Sequence, residues 1–129
     1  MSNTSALLLA LRRQREVTVK LGGAKKVTFL RPAEVEMAKL LHGTGDTRTW
    51  EVGLAEVQSC VVGWDGFTEA DVLGQAVGSS DPLAFDAELW ALLVADKIDW
   101  MRKVADAILK SVVDHINKQD ATAKNSEPA

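Results

Sequence analysis

The sequence predicts an α+β protein, mainly helical, in which an N-terminal β-hairpin packs on a small bundle of about four helices. Residues 16–30 form two runs of alternating apolar and polar residues around Gly22-Gly23, which is typical of a hairpin. Pro32, which suits the first position of a helix, marks the start of a helical segment after the hairpin. No glycine or proline occurs between Asp86 and Pro128, so long helical segments are expected there.

A short helix is predicted before the hairpin, over residues 5–14. Ser5 can cap its N-terminus, and Arg12 and Arg13 suit the negative end of its dipole. Its apolar face consists of Leu7, Leu8 and Leu11. Because so short a helix is only marginally stable alone, it must dock on something or fray, and residues 1–15 are treated as a helix or arm.

Two helices are predicted in the middle of the chain. The first runs from Pro32 to Leu41, with acidic residues in its first turn and a buried stripe of Val35, Ala38 and Leu41 with Met37 beside them. The second runs over residues 49–62, because Trp50, Leu54, Val57 and Val61 recur at helical spacing.

A turn at residues 63–66 is followed by a short helix, 69–73. Thr68 with Asp71 three residues later resembles a capping box at its start. The glycine- and serine-rich residues 74–81 are expected to form a loop.

The C-terminal part is predicted to be two helices with a break near residues 95–97, where Asp96 and Asp99 can cap a new start. The first would bury Leu89, Leu92 and Leu93, and the second a stripe that begins with Ile98. The second helix is expected to end at Lys118, before a small, polar, disordered tail at 119–129. Residues 16–118 then form a single globular domain.

Composition argues against several classes of function. The net charge of −3 gives no general cationic field for nucleic acid. A nucleic-acid-binding domain would have to use the local cluster formed by Arg12, Arg13, Arg15, Lys25 and Lys26, which has no aromatic residue among its members. The apolar run at residues 6–11 is too short to span a membrane and lacks a signal-peptide n-region. We therefore expect no nucleic acid, no membrane and a cytoplasmic location, which the single Cys60 also suits.

No catalytic, cofactor-binding or metal-binding residue is predicted, and the chain is not expected to be an enzyme. His42 and His115 are far apart in sequence, and neither has a ligand at metal-binding spacing. Cys60 fits a small buried hydrophobe better than a nucleophile. The acidic pairs Glu34/Glu36 and Asp65/Asp71 are explained by helix starts and a turn.

The tryptophans indicate a binding role instead. The chain has four tryptophans and no tyrosine. Trp50 is expected in the core, and Trp64, placed in a turn, is expected to fold back as a lid. Trp90 and Trp100 lie off the main apolar stripes and are candidates for an exposed aromatic patch that contacts a partner, together with the N-terminal leucines. The alternative is that both pack against the hairpin or the N-terminal helix.

Several short motifs together carry a family likeness over residues 16–116. A basic strand pair precedes Arg31-Pro32-Ala33-Glu34, and a helix ending at Val62 leads into Gly63-Trp64-Asp65-Gly66 and Phe67-Thr68. A helix bearing Leu89 and Trp90 follows, after Phe85. This order resembles the tail assembly chaperones of long-tailed bacteriophages.

The resemblance implies a protein made in the cytoplasm of the infected bacterium and absent from the mature virion. Such proteins bind the tape measure protein and keep it soluble while tail tube subunits assemble around it, and the tail tube protein is a second candidate partner. A homo-oligomer is compatible with this role. The alternative is a structural minor tail or head-tail component, which would be found in the particle.

Overall fold

The computed structural model describes residues 3–126. Its helices and strands in chain order are α1 (Asn3–Arg15), β1 (Glu16–Gly22), β2 (Lys25–Leu30), α2 (Glu34–Met37), β3 (Leu41–His42), β4 (Thr49–Trp50), α3 (Leu54–Cys60), β5 (Val61–Asp65), α4 (Glu69–Leu73), α5 (Ala87–Ala95) and α6 (Ile98–Ser126). Single turns of 3-10 helix cover Ala38–Leu40 and Gly45–Thr47. The predicted fold class, mainly helical α+β with an N-terminal hairpin, is confirmed.

The hairpin belongs to a three-stranded antiparallel sheet with the order β1-β2-β5. Val17 lies opposite Phe29, and Val19 lies opposite Val27, so the alternating apolar residues of both strands share one face. Val27 and Phe29 on the middle strand are fully buried. A bulge between Lys20 and Gly22 interrupts the ladder at the end of β1.

Three helices, α3, α5 and α6, form the core together with the sheet. The largest fully buried side chains come from all of these layers and, in the case of Phe67, from the turn after β5: Val27, Phe29, Val57, Phe67, Trp90, Val94, Val104, Ile108 and Val112. The long helix α6 lies against β1, where the Lys103 ammonium donates a hydrogen bond to the Leu21 carbonyl at 3.3 Å. The buried face of this helix runs from Val104 to Val112, with the half-buried Trp100 and Ile116 on either side of it, and this burial stabilises the helix.

The helix predicted over residues 49–62 is wrong at both ends. Trp50 lies in β4, only Leu54–Cys60 are helical, and Val61 begins β5. Trp64 is consequently in a strand opposite Val27, not in a turn. The apolar residues do recur at helical spacing, but pairing with β2 decided the conformation of Val61 and Val62, the last two residues of the predicted helix, since strand formation depends on distant partners.

The helix predicted from Pro32 to Leu41 is also shorter than expected. Regular α-helix covers only Glu34–Met37, and one tighter 3-10 turn follows it. Val35, expected in the buried stripe, is 76% exposed, whereas Met37 and Leu40 are buried against Val112 in a second, smaller core cluster. The side of this segment that carries Met37 and Leu40 faces the core, and the side that carries Val35 faces solvent.

Local signals placed α4, the loop after it and the break between α5 and α6 correctly. Thr68 and Asp71 form the expected reciprocal capping box at α4. In contrast, Leu92 and Ile98, expected to be buried, are 68% and 59% exposed. The expected tail is helical as far as Ser126, and residues 127–129 lie outside the described residues.

Candidate partner-binding surface

The N-terminal helix α1 carries four exposed leucines. None of its residues is buried. Leu7, Leu8 and Leu11, the side chains predicted to bind a partner, are about 60% exposed at 62%, 63% and 59%, and Leu9 is 49% exposed. A helix of this length is marginal in water unless its apolar side is covered. Leu7, Leu8 and Leu11 are referred to below as the α1 leucines.

The C-terminal end of α1 is anchored to the sheet by a pair of hydrogen bonds. The N–H of Arg31 donates to the carbonyl of Arg15, and the Arg15 Nε donates to the carbonyl of Arg31, both at 2.7 Å. Next to these hydrogen bonds, Leu8, Leu11 and Leu30 line a recess of about 480 Å³, whose other walls are the polar side chains of Arg12, Gln14, Arg15 and Arg31. The leucines therefore border a shallow groove, the kind of surface that accepts an amphipathic helix.

Trp90 does not belong to an exposed patch, and that part of the predicted site is wrong. Its side chain is fully buried, and its indole Nε1 donates a hydrogen bond to the Val57 carbonyl at 3.0 Å. Helix α5 is apolar on nearly every side, so the sequence could not determine which side faces the core. Docking buries Trp90, Leu93 and Val94 and leaves Leu92 in solvent.

Trp100 is half-buried and packs on the edge of the core. Its ring meets Phe67 edge-on, with centroids 5.6 Å apart, and the Lys97 ammonium lies 5.8 Å from its centroid. Trp64 stacks on Phe67 at 4.5 Å and meets Phe85 edge-on at 5.2 Å. Trp100 thus packs against Phe67, which belongs neither to the hairpin nor to the N-terminal helix, and only part of its ring is open to a partner.

Sequence reasoning missed other exposed apolar side chains. Leu9 lies on α1 about 100° around the helix from Leu8, outside the predicted face. Leu92 and Ile98 flank the short connection between α5 and α6. The sequence around Leu92 and Ile98 does not differ from that around buried residues, because both lie at helical positions where the apolar spacing predicted burial.

The basic cluster is divided among different structural elements. Arg12, on α1, lies 3.7 Å from Glu16, and Lys25, at the start of β2, lies 3.4 Å from Asp71. Lys26 is exposed on the middle strand. Two of the five cations thus face carboxylates, which lowers the local positive charge available to a phosphate backbone.

The titratable side chains named in the sequence have structural neighbours. His115 Nε2 lies 3.0 Å from the Glu34 carboxylate, to which Gln119 also donates. These hydrogen bonds, His115 first, lower the pKa of Glu34. Burial raises the pKa of the Cys60 thiol, which disfavours the thiolate. Within the described part of the chain, no three His, Cys, Asp or Glu side chains are grouped as a metal site would require.

Asp71 is the carboxylate with the most hydrogen-bond donors. Partial burial would raise its pKa, but the backbone and hydroxyl hydrogen bonds from Thr68, with the nearby Lys25 ammonium, outweigh burial and lower it. The Thr68 N–H and hydroxyl donate to Asp71 at 2.8 and 3.0 Å. This arrangement fixes the start of α4 and ties it to β2.

Comparison with known proteins found no matching protein-family model, curated protein or solved structure. None of the helices among residues 3–126 is long and apolar enough to cross a membrane.

Proposed function

We propose that this protein binds another protein without catalysing a reaction and that it acts as a phage tail assembly chaperone. In this role it binds the tape measure protein in the cytoplasm of the bacterial host, keeps it soluble and leaves before the virion is complete. The tail tube protein is the second candidate partner. The observation that carries the proposal is the exposure of the α1 leucines on a helix with no buried residue.

The physical reason is complementarity between two apolar helical surfaces. A tape measure protein, by the resemblance drawn from the sequence, is long and largely helical, and its apolar stripes would aggregate if left uncovered. The recess beside Leu8 and Leu11 offers a groove for such a stripe. A contact built on one helix is small, which suits a partner that must be released during assembly.

The partly exposed Trp100 is retained as a second contact, whereas Trp90 is not. Leu92 and Ile98 extend the list of apolar side chains available to a partner. The minor tail or head-tail component is the alternative function, and it differs in one observable: such a protein stays in the particle at fixed stoichiometry.

The test is co-expression with the tape measure protein encoded in the same genome. We expect the full chain to raise the soluble fraction of the tape measure protein and to co-purify with it. A variant carrying Leu7→Ala, Leu8→Ala and Leu11→Ala should lose both effects. Leu9→Ala is the matched control, because it removes the same side chain from another side of the same helix.

Two outcomes would contradict the proposal. If the full chain neither solubilises nor binds the tape measure protein, the assigned function is wrong. If the triple variant binds as well as the full chain, the α1 leucines are not the binding surface. Mass spectrometry of purified particles tests the alternative, since a chaperone is absent and a structural component is present.

A further inference from the structure

The outer edge of strand β1 is open along Glu16–Lys20. β1 has a strand neighbour on one side only, since the sheet order is β1-β2-β5. The Arg31 N–H donates to the Arg15 carbonyl, so Arg15 and Arg31 form a hydrogen-bonded pair of the antiparallel ladder. Such pairs alternate along a strand, so Val17 and Val19, two and four residues after Arg15, also direct their backbone groups to β2. The backbone groups of Glu16, Thr18 and Lys20 therefore point away from the sheet.

A close contact in the sheet agrees with this assignment. The hydroxyls of Thr18 and Thr28 lie 3.4 Å apart, as expected for a non-hydrogen-bonded pair, in which side chains approach closely. Among the backbone hydrogen bonds that turns, loops and helix caps make between the described residues, none uses the outward groups of Glu16, Thr18 or Lys20. The bulge at Leu21 ends the regular edge, so its midpoint is Thr18.

We propose that this edge pairs with the same edge of a second copy of the chain, antiparallel and centred on Thr18, to give a continuous six-stranded sheet. The inference concerns self-association and does not depend on the proposed chaperone function. An antiparallel pairing of identical strands has two-fold symmetry, which is the commonest symmetry of protein dimers. Each facing pair with outward backbone groups exchanges two hydrogen bonds.

Charge selects the second copy and this register. With Thr18 on the two-fold axis, Glu16 of each protomer lies opposite Lys20 of the other, so an attractive pair forms twice, beside the contact that each Glu16 makes with Arg12 of its own chain. A register centred on Glu16 or on Lys20 would place like charges face to face. Registers centred on Val17 or Val19 leave both charges without an opposite partner on the facing strand. The edge is therefore complementary to itself in one register.

The other face of the strand supports the same arrangement. Val17 and Val19 are half-buried beside α6. In the Thr18-centred register, Val17 of one protomer lies opposite Val19 of the other, and the pairing covers their remaining apolar surface. One face of the new contact is thus apolar and the other carries the two ion pairs.

Charge reversal tests the register by sedimentation equilibrium. The 14.0 kDa chain should show a concentration-dependent dimer mass. Lys20→Glu and Glu16→Lys should each raise the dissociation constant of the dimer by roughly tenfold, because each places like charges opposite one another twice. The double variant Glu16→Lys/Lys20→Glu should restore dimerisation. Lys39→Glu, which makes the same charge change away from the sheet, should dimerise like the unmodified chain.

Cysteine crosslinking tests the alignment independently, in a Cys60→Ser background. Thr18→Cys should form an interchain disulfide, since hydrogen-bonded facing residues have Cα atoms about 5.5 Å apart. Lys20→Cys should not, because the two copies of that position are roughly 13 Å apart in this register. Any of three results would overturn the proposal. The unmodified chain could stay monomeric at high micromolar concentration, the single charge reversals could dimerise normally, or the two cysteine variants could crosslink equally.

Discussion

The indole of Trp90 and the backbone carbonyl of Val57 are joined by a hydrogen bond of 3.0 Å in the interior of the protein. The bond links α5 to α3, and both partners are fully buried. Beside it, the side-chain amide of Gln58 donates to the Ala91 carbonyl at 2.9 Å. The packing of these two helices is therefore fixed by directional contacts as well as by apolar burial.

Replacing Trp90 by phenylalanine should lower the free energy of unfolding by about 1–3 kcal/mol. The ring is partly retained, but the Val57 carbonyl loses its donor in a site closed to water. Urea unfolding followed by circular dichroism measures the change. Trp100→Phe is the control, because no core hydrogen bond depends on that half-buried indole, and an equal loss in both variants would contradict the assignment.

Trp64→Ala should cost about 3 kcal/mol of stability. The indole stacks on Phe67, meets Phe85 edge-on and donates to the Leu83 carbonyl at 2.8 Å, so its removal opens space beneath the loop before α5. A thermal melt measures the loss. If stability barely changed while binding of a partner fell, Trp64 would be a binding residue and not part of the core.

Gly66→Ala should destabilise the protein by roughly 1–3 kcal/mol. Gly66 has φ +77°, and an added Cβ would overlap the backbone carbonyl of Ala24 in the hairpin turn. Gly63→Ala is the matched control, since nothing lies within 4 Å of its added Cβ. Denaturant midpoints of the two variants should therefore differ, and similar values would argue against a close approach at Gly66.

Asp71 should make stability depend on pH in the acid range. Its pKa is lower in the folded protein than the value of about 3.9 expected in the unfolded chain. The carboxylate therefore contributes stability above about pH 4, and this contribution is lost as the pH falls through the lowered folded pKa. Asp71→Asn should lower the free energy of unfolding by ~1–2 kcal/mol at pH 7. The difference in unfolding free energy between this variant and the unmodified protein should shrink toward about pH 2.

Denaturation curves at pH 7, 4 and 2.5 measure this convergence. Asp106→Asn serves as the control because it removes an exposed carboxylate of α6. A difference between the Asp71 variant and the unmodified protein that stayed constant over this range would show that the carboxylate charge is not the source of the stabilisation.

The α1 leucines should contribute little to folding stability. Leu8→Ala and Leu11→Ala remove exposed surface and keep good helix formers, so each should change the free energy of unfolding by no more than about 0.5 kcal/mol. Val57→Ala, in the core, should cost about 2 kcal/mol by comparison. Large losses from the leucine variants would mean that α1 is covered in solution by this chain or by another copy.

Features encoded by neighbouring residues could be predicted from the sequence. The hairpin around Gly22-Gly23, the Thr68–Asp71 cap and the break after Ala95 depend on contacts within a few residues. β5 could not be predicted in this way, because its partner β2 lies more than thirty residues earlier in the chain. Val61, its first residue, also continues the helical spacing of Leu54 and Val57 in α3.

The candidate site was predictable in part, for a related reason. Exposure of Leu7, Leu8 and Leu11 followed from an isolated apolar helix. Trp90 was misplaced because α5 is apolar on almost all sides, so the docking partners, not the periodicity, decide which side is buried. Leu92 is exposed for the same reason.

The packing of α6 on β1 also has a consequence for the order of events during translation. The hairpin leaves the ribosome early, yet the helix that covers Val17 and Val19 is synthesised after every other described element. Until then, the apolar face and the open edge of the hairpin are uncovered together, and contacts of such long sequence separation are slow to form. The nascent chain is therefore most prone to associate with its neighbours on the same messenger RNA just before its last helix emerges.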